Sequence, residues 1–267
     1  MIISFVNRTP ASGKTSACIA LANYLNDMPE NRDKRIIIFD CDPKLTSYTK
    51  FENYVKKAYS CPPGSYQVIS LPLDDDGLVF KVLNDIKGKE DFFLFDLPSK
   101  KDEWLDMRIL VSSHLIIVPF QPSKKHTQEF KSYLSYLHNL KSSLSRTNFV
   151  MISKIILVPV EIKDIDHEEI TLENDSEYLL SPPIERNDNI SEILNPISID
   201  NFKELPFKGY SDFIIDLIRN NNSELQESQT KDGIPSLESD KINRNSKLRS
   251  EKIIEYDLTQ INEAENF

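Results

Sequence analysis

The chain has 267 residues, of which 39% are hydrophobic and 28% are charged, and this composition is typical of a globular domain with a sizeable core. Its formal net charge of −10 disfavours adhesion of the whole molecule to DNA or to an anionic membrane, although it does not exclude a local basic surface. No apolar run reaches about 18 residues and the first residues lack a basic segment, so we expect no membrane span, no signal peptide and a cytoplasmic location.

The cysteines and histidines show none of the spacings that are typical of metal sites. Cys18, Cys41 and Cys61 lie far apart, and their odd number argues against a disulfide framework. We therefore expect small, buried or half-buried cysteines, and histidines with structural or surface roles.

The beginning of the chain has the pattern of a phosphate-binding strand, loop and helix. Ile2–Val6 is a short apolar, β-prone run, and Asn7–Ser12 is a turn-forming stretch of small and polar residues. Gly13–Ser16 then opens a helix whose apolar residues recur through Ala17–Leu25. In such an arrangement the loop amides and the helix N-terminus face a polyphosphate, the lysine adds a charge, and the threonine hydroxyl can hold Mg²⁺.

This loop departs from the full phosphate-loop pattern. Arg8 stands where that pattern has a glycine, and Thr9–Ser12 contains no glycine at all. Pro10 also lacks an N–H, which removes one potential phosphate donor. The motif is therefore supported mainly by its position between a strand and a helix.

A second candidate for the site follows the next strand. Arg35–Phe39 is a largely apolar run typical of a buried parallel strand, and it ends in Asp40-Cys41-Asp42-Pro43. Carboxylates at the C-terminal end of such a strand lie where α/β sheets bind their ligands. The alternative is an ordinary strand-to-helix turn in which an aspartate caps the helix.

The chain then continues with alternating helices and strands. Thr46–Tyr59 is predicted to be a helix and Tyr66–Leu71 a short strand. Asp74–Asp76 is well placed to cap a helix with an apolar stripe over Leu78–Ile86. Three adjacent aspartates also suggest a metal site, but side chains of consecutive residues diverge at a helix start, so we favour capping.

Another buried run, Asp91–Phe95, ends at Asp96-Leu97-Pro98. An aspartate in that position is what a nucleotide site uses to hold Mg²⁺ through a water. Leu115–Phe120 is a further strand, and Lys124–Ser145 is predicted to be an amphipathic helix that packs on the core.

Beyond these elements the sequence becomes more polar. Phe149–Val160 is the last strong strand, Tyr178–Leu180 is a possible short strand, and two short helices are predicted at Asp188–Leu194 and Tyr210–Asn220. From Asn221 onward the chain is rich in Asn, Ser, Glu and Lys. We expect a folded domain over residues 1–220 and a disordered C-terminal tail over residues 221–267.

Four blocks, taken together and in this order, resemble the ParA/MinD family of deviant-Walker P-loop ATPases. They are Asn7–Ser16, Asp40–Lys44, Phe93–Pro98 and Val118–Ser123. Pro183–Arg186 is also similar to a stretch near the adenine site of that family. The resemblance covers residues 1–220 and says nothing about the tail.

The resemblance implies an α/β fold with a mostly parallel sheet flanked by helices on both faces. It also implies ATP and Mg²⁺ as cofactors and an ATP-dependent homodimer that sits on DNA or membrane. That dimer positions a cargo, usually a plasmid or a chromosome, with an adaptor or centromere-binding protein as partner. The family thus predicts a role in plasmid partition or chromosome segregation, with the DNA contact weakened by the acidic net charge.

The resemblance assigns roles to individual residues. Lys14 would bind the β- and γ-phosphates, Thr15 would ligate Mg²⁺, and Asp40 and Asp96 would hold waters of that ion. Asp42 matches the acidic residue that the family needs for hydrolysis, and a carboxylate there suits a water beside the γ-phosphate. The full set of nucleotide-binding residues would be Arg8, Ala11, Ser12, Gly13, Lys14, Thr15 and Ser16.

The chain also differs from the family at the loop. The family's signature lysine, which reaches the nucleotide of the partner subunit, falls at Thr9, and the glycines after it are Pro10 and Ala11. Lys44 stands where the family usually has glutamine. Arg8 could supply the missing charge across an ATP-dependent dimer or at the γ-phosphate of its own subunit. The alternative is a solvent-facing arginine.

Three functions remain open at this point. The first is a ParA-like ATPase that partitions or positions DNA or another cargo. The second is a degenerate relative that binds nucleotide poorly and serves as an interaction module, for which the glycine-poor loop is the evidence. The third is a small-molecule kinase or ligase on the same scaffold, although we see no acceptor-binding motif.

Overall fold

Among the described residues, seven short strands, rich in β-branched and aromatic residues, build one parallel sheet. The computed structural model describes residues 1–10, 12–42, 66–99, 103–122, 124–146, 153–160, 178–184 and 207–231. The strands are β1 (Ile2–Phe5), β2 (Ile36–Asp40), β3 (Gln67–Ser70), β4 (Phe92–Asp96), β5 (Leu115–Phe120), β6 (Lys154–Pro159) and β7 (Tyr178–Leu180). Their order in the sheet is β3-β2-β4-β1-β5-β6-β7.

Helices cover both faces of this sheet. They are α1 (Lys14–Asp27), α2 (Asp76–Ile86), α3 (Glu103–Ser112), α4 (Lys124–Arg146) and α5 (Lys208–Lys231). Buried side chains of α1 and α5 belong to one apolar cluster with alternate residues of the central strands. Buried side chains of α2, α3 and α4 belong to a second cluster on the opposite face. The predicted α/β architecture, a parallel sheet flanked by helices on both faces, is therefore confirmed.

Most predicted elements agree with the structure to within a residue or two. The strand at Leu115–Phe120 and the strand at Tyr178–Leu180 have the predicted bounds. The helix α2, which begins at the third of the three aspartates, is capped as expected, because the Asp75 carboxylate accepts a 3.0 Å hydrogen bond from the Leu78 N–H. The capping interpretation of this acidic stretch is confirmed.

The helix α3 has no counterpart among the elements predicted from the sequence. Its apolar residues are spread around the helix rather than gathered in a stripe, so the helical period is weak. The structure nevertheless buries Met107, Ile109 and Leu110 against the second cluster. Tertiary packing thus stabilises a helix that the amphipathic pattern does not indicate.

Several predictions lie outside the described residues. These are the helices at Thr46–Tyr59 and Asp188–Leu194, the residues Ala11 and Lys44, and the pair Glu185-Arg186. The last described helix, α5, continues to Lys231 and so passes the predicted boundary at Asn220. The division into a domain and a tail stays a prediction. Within the described ranges, no helix is both long enough and apolar enough to cross a membrane.

Candidate phosphate-binding site

Two buried aspartates lie side by side at the C-terminal edge of the sheet. Asp40 ends β2, Asp96 ends β4, and their Cα atoms are direct partners in the parallel register. Phe5, the last residue of β1, pairs with Asp96 from the other side. The aspartate side chains are 0% and 1% exposed. The chain leaves β1 into the glycine-poor loop at this same edge, so the loop and both carboxylates meet there.

Gly13 makes the turn from the loop into α1. Its φ of 93° and ψ of 7° are left-handed, a conformation that favours glycine. A Cβ atom at this position would also come within 3.0 Å of Val160 Cγ1, beside the end of β6. A larger residue is therefore disfavoured both by backbone strain and by the close contact with Val160.

Thr15 is joined directly to one of the buried aspartates. Its hydroxyl Oγ1 donates a 2.7 Å hydrogen bond to Oδ2 of Asp96. The threonine lies in the first turn of α1, where backbone N–H groups point out of the helix and the dipole favours anions. The threonine and aspartate that the sequence assigns to a magnesium site are thus in contact.

Lys14 is buried, with only 8% of its surface exposed. Its Nζ donates to the Asn7 carbonyl at 3.1 Å and to Ser99 Oγ at 2.6 Å. The amine therefore lies between the start of the loop and the residues that follow β4. A buried ammonium group of this kind keeps its charge only with polar partners of this sort.

Three further predicted residues lie near the same edge. The Asp42 N–H donates a 3.1 Å hydrogen bond to Asp40 Oδ1, which fixes the short turn after β2, and the Asp42 residue is half-buried. Ser12 is buried, and among the described residues its Oγ has no hydrogen-bond partner. A buried hydroxyl without a partner is costly, and a ligand oxygen in the loop would supply one. Ser16 is half-buried in the first turn of α1.

Two cysteines lie beside this site. Cys18 in α1 and Cys41 after β2 are both buried and neither is in a disulfide, so the predicted burial is confirmed for these two, whereas Cys61 lies outside the described residues. Burial raises the pKa of the Cys18 thiol, and the negative charges of Asp96 and Asp40 raise it further. The protonated thiol is therefore a packing group rather than a nucleophile.

The first half of the loop is held by α4. Thr9, which the resemblance aligns with the signature lysine, is 3% exposed, and its Oγ1 donates to Glu129 Oε2 at 3.3 Å. The Arg8 guanidinium lies over two rings, with its Cζ 4.5 Å from the centroid of Tyr136 and 5.6 Å from that of Tyr133. Arg8 is half-buried, and the choice between a role at the interface or the γ-phosphate and a solvent-facing arginine stays a prediction.

Four residues that contact this site are not among those predicted from the sequence. Ser99, Val160, Glu129 and Tyr136 are distant in sequence from the loop residues that they contact. The sequence predicts α4 only as an amphipathic helix that packs on the core, but the four- and three-residue spacing of Glu129, Tyr133 and Tyr136 could have indicated a common face. Of the predicted set, Ala11 lies outside the described residues.

The residues present fit a magnesium-bound polyphosphate. The left-handed Gly13 turns the chain directly into the N-terminus of α1, and the buried hydroxyl of Ser12 lacks a partner in the described part of the chain. Thr15 and Asp96 supply the oxygen ligands that Mg²⁺ prefers, and Lys14 supplies a positive charge. In the same part of the chain, no group of three or more His, Cys, Asp or Glu side chains could hold a metal ion. A metal here would depend on a ligand for the remaining oxygens.

Neither a family model nor a curated protein sequence matches the chain, but solved structures do. The structure of apo McdA from Cyanothece matches with a TM-score of 0.58 and 15% identity, over 79% of this chain and 98% of that one. A putative plasmid partition protein from Borrelia burgdorferi B31, bound to AMPPNP, matches with a TM-score of 0.58 and 14% identity, over 82% and 98%.

A biosynthetic enzyme has a similar structure as well. Cobyrinic acid a,c-diamide synthase from Mycobacterium smegmatis, with a bound ATP analogue and magnesium, matches with a TM-score of 0.51 and 15% identity, over 76% of this chain and 93% of that one. At these identities the likeness concerns the fold. The chain therefore shares the fold of these proteins, in which a parallel sheet is flanked by helices on both faces.

Proposed function

We propose that the chain is a ParA-like ATPase that binds and slowly hydrolyses Mg-ATP in order to partition or position DNA or another cargo. The observation that carries this proposal is the 2.7 Å hydrogen bond from Thr15 Oγ1 to Asp96 Oδ2 at the N-terminus of α1. A hydroxyl and a carboxylate at that place, behind a left-handed glycine, form the arrangement in which P-loop proteins hold Mg²⁺ and phosphates.

Each residue has a defined task in this proposal. Lys14 binds the β- and γ-phosphates, and the amides at the start of α1 donate to the phosphate oxygens. Thr15 ligates the metal, while Asp40 and Asp96 hold its waters, a role that suits two buried carboxylates in direct register. Magnesium, when bound, neutralises charge that develops on the phosphates during transfer.

Asp42 is the residue that we assign to hydrolysis. It lies two residues after Asp40, in the turn that follows β2. It is only half-buried, so its carboxylate is accessible from the edge of the sheet. A carboxylate that orients a water, without binding the phosphates, affects turnover more than affinity. Hydrolysis is expected to be slow because the loop has threonine at the position of the signature lysine.

The similar structures support ATP as the nucleotide. The Borrelia burgdorferi protein is bound to AMPPNP, and a Cyanothece McdA variant is in complex with ATP. The cobyrinic acid synthase also carries an ATP analogue with magnesium, although its reaction differs. ATP binding is therefore the property that these scaffolds have in common, and the positioning function depends on the resemblance of the four sequence blocks.

The proposal is tested by calorimetric titration of the full chain with Mg-ATP, followed by ATPase assays with and without DNA. We expect binding in the micromolar to millimolar range, slow turnover, and acceleration by DNA. Asp42→Ala should keep the affinity and lose turnover, whereas Asp85→Ala, at an exposed position on α2, should change neither. Absence of binding at millimolar Mg-ATP would reject the proposal.

A second candidate is an interaction module that binds nucleotide poorly, and the position of Thr9 favours it. Its side chain is buried and bonded to Glu129, so it cannot reach the nucleotide of a partner subunit as the family's lysine does. A chain that binds Mg-ATP without dimerising or turning it over would fit this candidate. Sedimentation with ATP in the Asp42→Ala variant separates the two, because only the ATPase forms an ATP-dependent homodimer.

A further inference from the structure

One face of α4 contacts the first half of the phosphate-binding loop. Glu129, Tyr133 and Tyr136 are spaced by four and then three residues, which places them on the same side of the helix. Tyr133 is buried, Tyr136 is half-buried and Glu129 is exposed. These three residues form what we call the clamp face of α4.

The aromatic part of the clamp face holds Arg8. The guanidinium Cζ lies within about 6 Å of both ring centroids, the range in which cation–π attraction is significant. The rings of Tyr133 and Tyr136 have centroids 5.9 Å apart and planes 24° apart, so they present one continuous surface. Because Arg8 is half-buried, part of its hydration is already replaced by these rings.

The residues on either side of Arg8 are fixed as well. Thr9 Oγ1 donates to Glu129, and the Thr9 N–H donates to Asn7 Oδ1 at 2.8 Å. The Asn7 amide Nδ2 in turn donates to the Pro119 carbonyl at 2.7 Å, near the end of β5. Residues 7–9 are therefore tied to both the sheet and α4.

This arrangement affects the phosphate site through the Asn7 carbonyl. That carbonyl accepts a 3.1 Å hydrogen bond from Lys14 Nζ, so a displacement of Asn7 moves a direct partner of the buried amine. Glycine lets a loop adopt left-handed or otherwise strained backbone conformations without steric cost. Here the loop has no glycine before Gly13, and side-chain contacts with the sheet and α4 hold residues 7–9 in place.

We propose that the clamp face of α4 positions the phosphate-binding loop, and that Tyr136 is the principal positioning residue because its ring is the nearer to Arg8. This inference rests on the proposed function insofar as it concerns nucleotide affinity. The positioning itself is a property of the nucleotide-free chain. The two parts can therefore be measured separately.

The experiment compares Tyr136→Leu, which removes the ring but keeps apolar volume, with Tyr136→Phe, which keeps the ring. Hydrogen exchange of the amides of residues 7–14 is measured in the full chain without nucleotide. We expect exchange to accelerate roughly two- to tenfold in Tyr136→Leu and to stay unchanged in Tyr136→Phe. Ser135→Ala, at an exposed position elsewhere on α4, is the matched control.

The Kd for Mg-ATP should rise by a similar factor in Tyr136→Leu and not in Tyr136→Phe. Arg8→Gln approaches the same contact from the loop, so it provides a second variant if Tyr136→Leu is poorly folded. In combination the two changes should raise the Kd and accelerate loop exchange little more than either change alone, because both remove the same contact.

Unchanged loop exchange in both Tyr136→Leu and Arg8→Gln would overturn the positioning role. Faster exchange in a chain that shows no Mg-ATP binding would support the positioning and reject the proposed function. Faster exchange with an unchanged Kd would overturn the link to the nucleotide.

Discussion

The two halves of the phosphate-binding loop are built by different means. The second half, from Ser12 into α1, depends on a left-handed glycine and on the start of a helix, both of which are local properties of the chain. The first half depends on contacts between Arg8, Thr9 and a helix that begins more than 100 residues later. The half of the loop that would bind phosphate is therefore defined locally, while the other half is positioned by residues that are distant in sequence.

The sharpest test of this comparison is the loss of the charge in the second half. Lys14→Ala should lower the affinity for Mg-ATP about a hundredfold or more, because a charge-assisted contact to phosphate is lost. Lys81→Ala, at an exposed position on α2, is the matched control and should bind as the unaltered chain does. Calorimetric titration gives both values, and a Lys14→Ala variant of ordinary affinity would contradict the assignment.

Alanine in place of Gly13 tests the geometry of the same half. Gly13 and Gly88 both have positive φ, 93° and 74°, but a Cβ at Gly88 meets nothing within 4 Å. Gly88→Ala should cost roughly 1–2 kcal/mol of unfolding free energy from backbone strain alone. Gly13→Ala should cost about 1–3 kcal/mol more, because Val160 must move.

Denaturant unfolding measures these differences. Val160→Ala is then added to the Gly13→Ala chain, and the cost of Val160→Ala alone is subtracted. The double variant should recover part of the unfolding free energy lost to the contact with Val160, but none of the part lost to backbone strain. Equal costs at the two glycines would mean that the contact with Val160 does not constrain the loop.

The first half should give a smaller effect. In an Asp42→Ala chain with ATP, Arg8→Ala should weaken the ATP-dependent homodimer by about tenfold or less, since a loosened loop holds the nucleotide less well. Sedimentation across a range of protein concentrations measures this. An unchanged dimer would reject the role of Arg8 in association, and a chain that stays monomeric with Arg8 intact would remove the dimer altogether.

A change at the N-terminal edge of the sheet should affect stability without affecting either half of the loop. His114 precedes β5, and its Nδ1 accepts a 3.1 Å hydrogen bond from the Ile2 N–H, which only an unprotonated nitrogen can do. Partial burial lowers the pKa of His114 below its ordinary value of 6.5, and the nearby positive amino terminus lowers it further. The unfolded chain therefore binds more protons than the folded chain near and below pH 6.5, and stability falls as the pH falls.

We expect this loss to be less than about 1 kcal/mol, since the ring is partly exposed. His114→Asn, whose Oδ1 can accept the same bond, should reduce the acid sensitivity of the melting temperature, while His138→Asn should retain it. Equal acid sensitivity in all three chains would show that His114 does not contribute.

The smallest effect is expected from removal of the C-terminal residues. The last buried side chain among those described is Ile218, and the ion pair of Arg219 with Glu30 lies just beyond it. A chain that ends at Lys231 should keep its melting temperature and its Mg-ATP affinity. A markedly lower melting temperature would show that residues 232–267 dock on the domain.

The sequence was a good guide wherever the structure depends on local pattern. Asp40, Asp96 and Thr15 come together because parallel strands end at one edge and a helix begins there, and both features are visible in short apolar runs. The sequence could not predict that Tyr136 lies over Arg8 or that Ser99 meets Lys14, because these contacts depend on how distant elements pack. α3 was missed for a related reason, since its burial is decided by its neighbours.

The hydrogen bonds of Lys14 affect how a ligand would bind. The amine already donates to the Asn7 carbonyl and to Ser99 Oγ, so at least two of its three N–H donors have protein partners. Phosphate recognition by this lysine would be an exchange of partners rather than a simple gain, and the measured affinity would be the difference between the two sets of bonds. The same internal bonds would keep the buried charge satisfied whenever no ligand is bound.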